Sequence, residues 1–166
     1  DGTFDGTTLL FDLMPGSASS NPQVVHTNGR YTFFVADHPQ FGRELCRTSA
    51  VVGDLLCVDS WSGPLATGDP QVLATHDFVT YFAAADGQRG REVWYLAEGS
   101  NEVGVIDLVA SASSYPQLPL LLTDGIEMVA WDATRKSWSV YRLAYGQALL
   151  ETSLWRGEAD NRADFS

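Results

Sequence analysis

The stretch "NPQVVHTNGRYTFFVADHPQFGRELCRT" at 21–48 returns as "DPQVLATHDFVTYFAAADGQRGREVWYL" at 69–96, offset by 48 residues. A third, weaker copy, "YPQLPLLLTDGIEMVAWDATRKSWSVYRL", runs over 115–143. The connecting pieces recur as well: "GTTLLFDLMPG" (6–16), "GDLLCVDSWSG" (53–63), "EVGVIDLVASAS" (102–113) and "GQALLETSLWRG" (146–157). Self-similarity at a fixed period restricts the fold more than any other feature of this chain. A period of about 47 is too long for a leucine-rich repeat and falls in the range of propeller blades.

Each copy contains four short runs of strand character, in the first near 22–27, 31–36, 43–48 and 54–60. "RYTFFVAD" and "VTYFAAAD" are rich in aromatic and β-branched residues, and Asn-Gly, Asp-Gly and Gly-x-x-Gly supply the breaks. Pro22, Pro70 and Pro116 open the first run of each copy, where a missing N–H costs least. No window keeps a helical period beyond two turns, so the chain reads as all-β.

Four strands repeated at this spacing describe a four-stranded antiparallel sheet, the unit of a β-propeller. The expected organisation is 1–16 as the last strand (7–13) of a preceding blade, then blades at 17–63, 64–113 and 114–157, with 158–166 as a C-terminal tail or linker. Propellers close with about 4–8 blades, so three blades and one extra strand make an incomplete ring. The remaining blades are expected from a longer chain, of which this one opens mid-pattern, or from further copies of itself.

"DGTFDGTTLLFDLMPGSASSNPQ" (1–23), together with "GRELC" (42–46) and "GREVW" (90–94), resembles the bacterial repeat family named for its ELWxxDGTxxGT signature. Asp1-Gly2-Thr3-Phe4-Asp5-Gly6-Thr7 matches the DGTxxGT half without a gap, and "FDLMPGSAS" fits the strand and Pro-Gly turn that follow it. The resemblance runs to about Gly157. It implies propeller blades in large secreted or surface proteins, mostly without assigned activity. Cys46 and Tyr141 stand where that family keeps the Trp that Trp94 retains, and Ser49-Ala50 and Ala97-Glu98-Gly99 replace the Asp-Gly-Thr turn.

Both cysteines of the chain lie in the first copy. With Cys46 on the third strand and Cys57 on the fourth, a hairpin folded about 51–52 sets them opposite each other. Opposed positions about 4.5–5.5 Å apart suit a disulfide. Two buried free thiols packing as small hydrophobes are the alternative. A disulfide would place the protein in an oxidising compartment: extracellular, cell-surface or periplasmic.

Ten Lys and Arg against 21 Asp and Glu give a net charge of −11 with no basic cluster. Such a field disfavours nucleic acid and anionic membrane surfaces. The apolar stretch "LPLLLTDGIEMVAW" is broken by Pro119 and Asp124 and is too short to insert in a bilayer.

No nucleophile elbow, phosphate loop or His-Glu-x-x-His appears, and no catalytic residue is assigned. His26 and His76, near the ends of first strands, fall two positions out of register, and with His38 they read as partly exposed polar residues. The Ser-rich "GSASSNP" and "SASSYP" read as connectors. In "ADGQRGRE" (85–92), Asp86 and Glu92 are weak Ca²⁺ candidates with Gly87 and Gly90 backbone carbonyls, the alternative being an Asx turn in which Asp86 bonds its own backbone. "WDATRKSW" in the third copy reads as lacking this pattern. Phe33, Phe34, Tyr81, Phe82, Trp94, Trp131 and Tyr141 are expected mainly between blades.

The expected function is therefore a non-enzymatic structural or interaction module with a protein or glycan ligand and no cofactor beyond Ca²⁺. The rivals are a lectin or a glycan-active enzyme whose site lies at the mouth of a complete ring. An enzyme of that kind needs converging carboxylates, for which Asp77 and Asp124 at the ends of first strands are the candidates.

Overall fold

In the computed structural model the described residues are 2–49, 51–99, 101–110, 112–144 and 147–156. The expected tail at 158–166 and the end of the third repeat at Gly157 lie outside them. Among the described residues there are twelve strands and no helix. They are β1 (Gln23–Thr27), β2 (Thr32–His38), β3 (Gly42–Thr48), β4 (Leu55–Cys57), β5 (Gln71–His76), β6 (Val79–Ala85), β7 (Arg91–Ala97), β8 (Glu102–Ile106), β9 (Gln117–Leu122), β10 (Gly125–Asp132), β11 (Ser137–Ala144) and β12 (Gln147–Arg156).

Each repeat makes one four-stranded antiparallel meander, ordered β1-β2-β3-β4, β5-β6-β7-β8 and β9-β10-β11-β12. The all-β expectation holds, and the strands begin and end close to where the sequence places them. Residues 7–13 differ: they form no strand. A strand exists only as a ladder with a neighbour, and each sheet already draws its four strands from its own repeat. The segment instead lays Phe11 and Leu13 on the first sheet, where Phe11 stacks on Phe34 with ring centroids 6.0 Å apart.

The turns explain the repetition. Asn28 at the β1–β2 turn accepts hydrogen bonds from the backbone N–H of Arg30 and Tyr31 (3.1 and 2.9 Å). The β5–β6 turn is two residues, Asp77 and Phe78, with φ of 47° and 62°, the combination that matches the twist of a tight hairpin. Ahead of each first strand stands a residue with left-handed backbone followed by proline: Asn21 (φ 43°), Asp69 (φ 45°) and Tyr115 (φ 47°). Asn and Asp tolerate this region, whereas an aromatic residue there carries a steric cost of about 1–2 kcal/mol. Tyr115 is mostly exposed, so little packing offsets that cost. Tyr115→Asn is accordingly expected to raise the unfolding free energy by about 1 kcal/mol, read as a shift in denaturation midpoint with an unchanged slope.

The chain divides into two compact units, residues 1–70 and 71–166. The second and third repeats share one core. In it Tyr81 and Val93 of the second sheet pack with Ile126, Met128, Ala130, Tyr141 and Leu143 of the third. The first unit has its own core of Leu13, Phe34, Ala36 and Cys46. Most of the expected aromatic set is buried accordingly, Phe33, Phe34, Tyr81, Phe82 and Tyr141 among it, while Trp94 and Trp131 are half-buried.

Candidate functional site

The hairpin turn between the second and third strands is built alike in two of the repeats. Asp86 accepts from the backbone N–H of Gln88 and Arg89 (2.8 and 2.6 Å) and pairs with the Arg89 guanidinium. Asp132 does the same with Thr134 and Arg135 (both 2.9 Å) and the Arg135 guanidinium. "WDATRKSW" therefore does carry the pattern, as Asp-x-x-Arg, and the Asx-turn alternative describes both sites. Desolvation alone would raise both carboxyls, but these donors and the guanidinium outweigh it and hold each below the usual aspartate range. Tyr141 adds a hydrogen bond to Asp132 (3.2 Å), and burial together with that carboxylate pushes its hydroxyl up to about 12.

Glu92 takes no part in that turn. It is fully buried, and its two oxygens accept from the Ser114 hydroxyl (2.6 Å) and from the backbone N–H of Ser114 (2.8 Å) and Leu108 (3.2 Å). The proposed pairing of Asp86 and Glu92 on a cation is thus replaced by two separate hydrogen-bond sets, each filled by protein donors. Among the described residues no group of three or more His, Cys, Asp or Glu is placed to hold a metal.

Sequence reasoning missed what Glu92 does. Its counterpart Glu44, also fully buried, accepts from the Ser60 hydroxyl (2.6 Å) and the Trp61 N–H (3.2 Å). In both repeats the third-strand glutamate grips the connector that leaves the fourth strand. The glycine two positions before it is required by the same approach. A Cβ on Gly42 (φ 78°) would strike the Ala66 carbonyl, and one on Gly90 (φ 87°) would strike the Ser113 hydroxyl. Gly-Arg-Glu, present twice at a spacing of 48, was the available signal. In the third repeat Ser139, paired with Ala130 as Glu92 is with Ala84, stands at the glutamate place, and Lys136, three positions earlier, carries the left-handed backbone (φ 50°). Burial raises both carboxyls against the pull of their donors, Glu92 to about 7.

The first repeat departs from the Asp-x-x-Arg turn. His38 and Phe41 replace the pair and stack at 4.2 Å with an interplanar angle of 10°. Asp37, one position earlier, accepts from the Asn21 amide (2.7 Å) and pairs with Arg43 (3.1 Å). The Asn21 hydrogen bond, then the guanidinium, hold the Asp37 carboxyl low despite partial desolvation. Beside this turn opens a cleft of about 480 Å³ lined by Met14, Asp37, His38, Pro39, Arg43 and Leu65, among others. Apolar walls with a few convergent polar groups are the usual composition of a ligand site. The break in repeat chemistry falls at the cleft.

Cys46 and Cys57 form a disulfide across the β3–β4 pair, in the expected register and with Cα atoms 4.0 Å apart. His26 lies against Phe33. His76 sits 3.4 Å from Asp77 and 3.3 Å from the Thr123 carbonyl, so it ties the β5–β6 turn to the β9–β10 turn. Asp124 pairs with Arg142 at 3.1 Å, and the same guanidinium holds Glu127 and Glu151. The two carboxylates named for an enzyme thus reach neighbouring turns of one unit, Asp77 beside His76 and Asp124 paired with Arg142.

The described residues define an all-β repeat protein of three like four-stranded antiparallel sheets, the first closed by a disulfide. Set beside models of known protein families, curated proteins and solved structures, the chain matches none.

Proposed function

We propose that this chain is a run of blades from a β-propeller of the ELWxxDGT-repeat kind, working outside the cytoplasm as a structural and interaction module. The observation that carries this is repetition at the level of individual atoms and angles. Each sheet is a four-stranded meander entered through a left-handed residue and proline, and the first hairpin of each carries a register break, on the first strand between Val24/His26 and Val72/Ala74 and, in the third, between Gln117/Leu120 opposite Glu127/Val129 of β10. A bulge in the first hairpin bends each sheet, which suits sheets arrayed around an axis. The Cys46–Cys57 bridge supports an oxidising compartment. The cleft beside His38 and Arg43 is the place for a protein or glycan ligand, on a loop carried by a rigid scaffold.

Electron microscopy of the native particle tests the reading. A ring of about 4–8 radial sheets around a central channel is the expected image. A linear stack of sheets with no channel would refute it.

A further inference from the structure

Two ion-paired arginines of this chain meet more than one carboxylate. Arg142 reaches Asp124 through Nη1 (3.1 Å), Glu127 through Nη2 (3.1 Å) and Glu151 through Nε (3.2 Å). Arg89 holds Asp86 with Nη1 and has Asp107 at 3.8 Å from Nε. Arg43 differs from both. Its Nη1 makes both side-chain contacts, to Asp37 Oδ1 (3.1 Å) and to the Asn21 carbonyl (3.2 Å), and among the described residues Nε and Nη2 meet no partner. Nε–H and one N–H of Nη2 run side by side, the fork that takes both oxygens of one carboxylate. Arg43 is part-exposed and lines the cleft of the first repeat.

The rest of that cleft adds a donor and an apolar wall. His38 Nδ1 accepts from the Gln40 N–H (3.3 Å), which puts the proton of the neutral ring on Nε2 as a donor. The other two hairpin turns are capped by an aspartate, whereas this imidazole cap brings no negative charge. Asp37 is already engaged, Oδ1 by Arg43 and Oδ2 by Asn21. Met14, Pro39, Pro64 and Leu65 form the apolar side, and Leu65 is 97% exposed. The walls are fixed in advance. The Arg43 N–H donates to the Ala66 carbonyl (3.2 Å), the atom that a Cβ on Gly42 would strike.

We propose that this cleft binds the free C-terminal carboxylate of a peptide whose last side chain is apolar. The carboxylate takes the Nε–Nη2 edge of Arg43, His38 Nε2 donates to it, and the side chain covers Leu65 and Met14. The inference rests on reading the cleft as the ligand site and names the ligand's chemistry. A single negative charge suits it: at a net charge of −11 the chain opposes a polyanion such as an acidic polysaccharide with every charge added. A neutral sugar would leave the Arg43 fork unmet and set its hydroxyls against a largely apolar wall.

Nuclear magnetic resonance titration of the isotope-labelled full chain tests this, with acetyl-Gly-Gly-Ala-Leu as the free acid and as the C-terminal amide. The acid is expected to shift the Arg43 Nε–H signal and the Gly42, Leu65 and Ala66 amides saturably. It should bind about tenfold or more tighter than the amide, the difference a charge-assisted pair of hydrogen bonds makes. Arg43→Lys keeps the charge beside Asp37 without the fork and is expected to bring the acid down to the affinity of the amide. Leu65→Ser, at an exposed position, should weaken the acid by about fivefold, while Arg135→Lys at the Asp132 turn should leave it unchanged. Equal binding of acid and amide, or undiminished binding of the acid by folded Arg43→Lys or Leu65→Ser chains, would overturn the proposal. A glucuronate-bearing disaccharide that shifts these signals when the peptides do not removes the peptide and keeps the cleft as a ligand site. Silence of the cleft signals to peptides and disaccharide alike removes both.

Discussion

Glu92→Leu is expected to lower the unfolding free energy of the second unit by about 1–3 kcal/mol, because the part-buried Leu108 amide loses its acceptor while the Ser114 amide and hydroxyl keep only the Arg91 carbonyl, three donors in all. Those donors are the Ser114 hydroxyl and the Ser114 and Leu108 amides. The readout is specific: the transition of residues 71–166 should move in chemical denaturation, while that of residues 1–70 stays. A loss below 1 kcal/mol would show that the connector is held by other contacts.

The same carboxyl sets a dependence on pH. Its folded value of about 7 lies above the usual 4.5. Between these values the folded protein binds the proton more tightly than the unfolded chain does. Stability from this group is therefore fully present below pH 4.5 and is lost as pH rises through about 7, by about 3 kcal/mol in all. Glu44 is shifted in the same direction. Asp37, Asp86 and Asp132 are shifted the other way, so their contribution is present above the usual 3.8 and lost as pH falls through their lowered values. The stability maximum is expected on the acid side of neutrality, and Glu92→Gln is expected to flatten the decline toward pH 8.

Opening the Cys46–Cys57 bridge is the second large effect. Its partners are 11 residues apart, and a loop of that size contributes about 3 kcal/mol through restriction of the unfolded chain. The double variant Cys46→Ala/Cys57→Ala, or reduction, should move the transition of residues 1–70 by roughly 12–24 °C and leave that of residues 71–166 in place. The contribution is large because β4 is only three residues long and has little ladder of its own. An unchanged melting curve under reductant would show that the packing of Leu13 and Phe34 suffices.

Strand number, meander order and the disulfide register were legible in the residues because each depends on local chemistry that recurs. Alternation, turn residues and the spacing of Cys46 and Cys57 about 51–52 are enough to fold the hairpins on paper. The register breaks near Val25 and Leu73 were not legible, since a bulge changes neither the composition of a strand nor its length. Residues 7–13, expected as the last strand of a preceding blade, form no strand because none of the three sheets offers them a ladder partner. Glu92 misled for a related reason. A carboxylate near an Asp-Gly turn suggests a cation when only neighbours in sequence are considered, whereas its partners, Leu108 and Ser114, lie 16 and 22 positions away. The cleft beside His38 needed the comparison of three turns, two closed by Asp-x-x-Arg and one by His-x-x-Phe.

The β3–β4 turn exposes Val51 and Val52 inside the covalent loop closed by Cys46 and Cys57. A protease that cleaves the backbone there severs the chain without releasing either piece, since the sulfur atoms keep both fragments on one molecule. In a compartment where digestive enzymes and oxidants occur together, the module would survive such a cut as a two-chain species whose parts separate only on reduction.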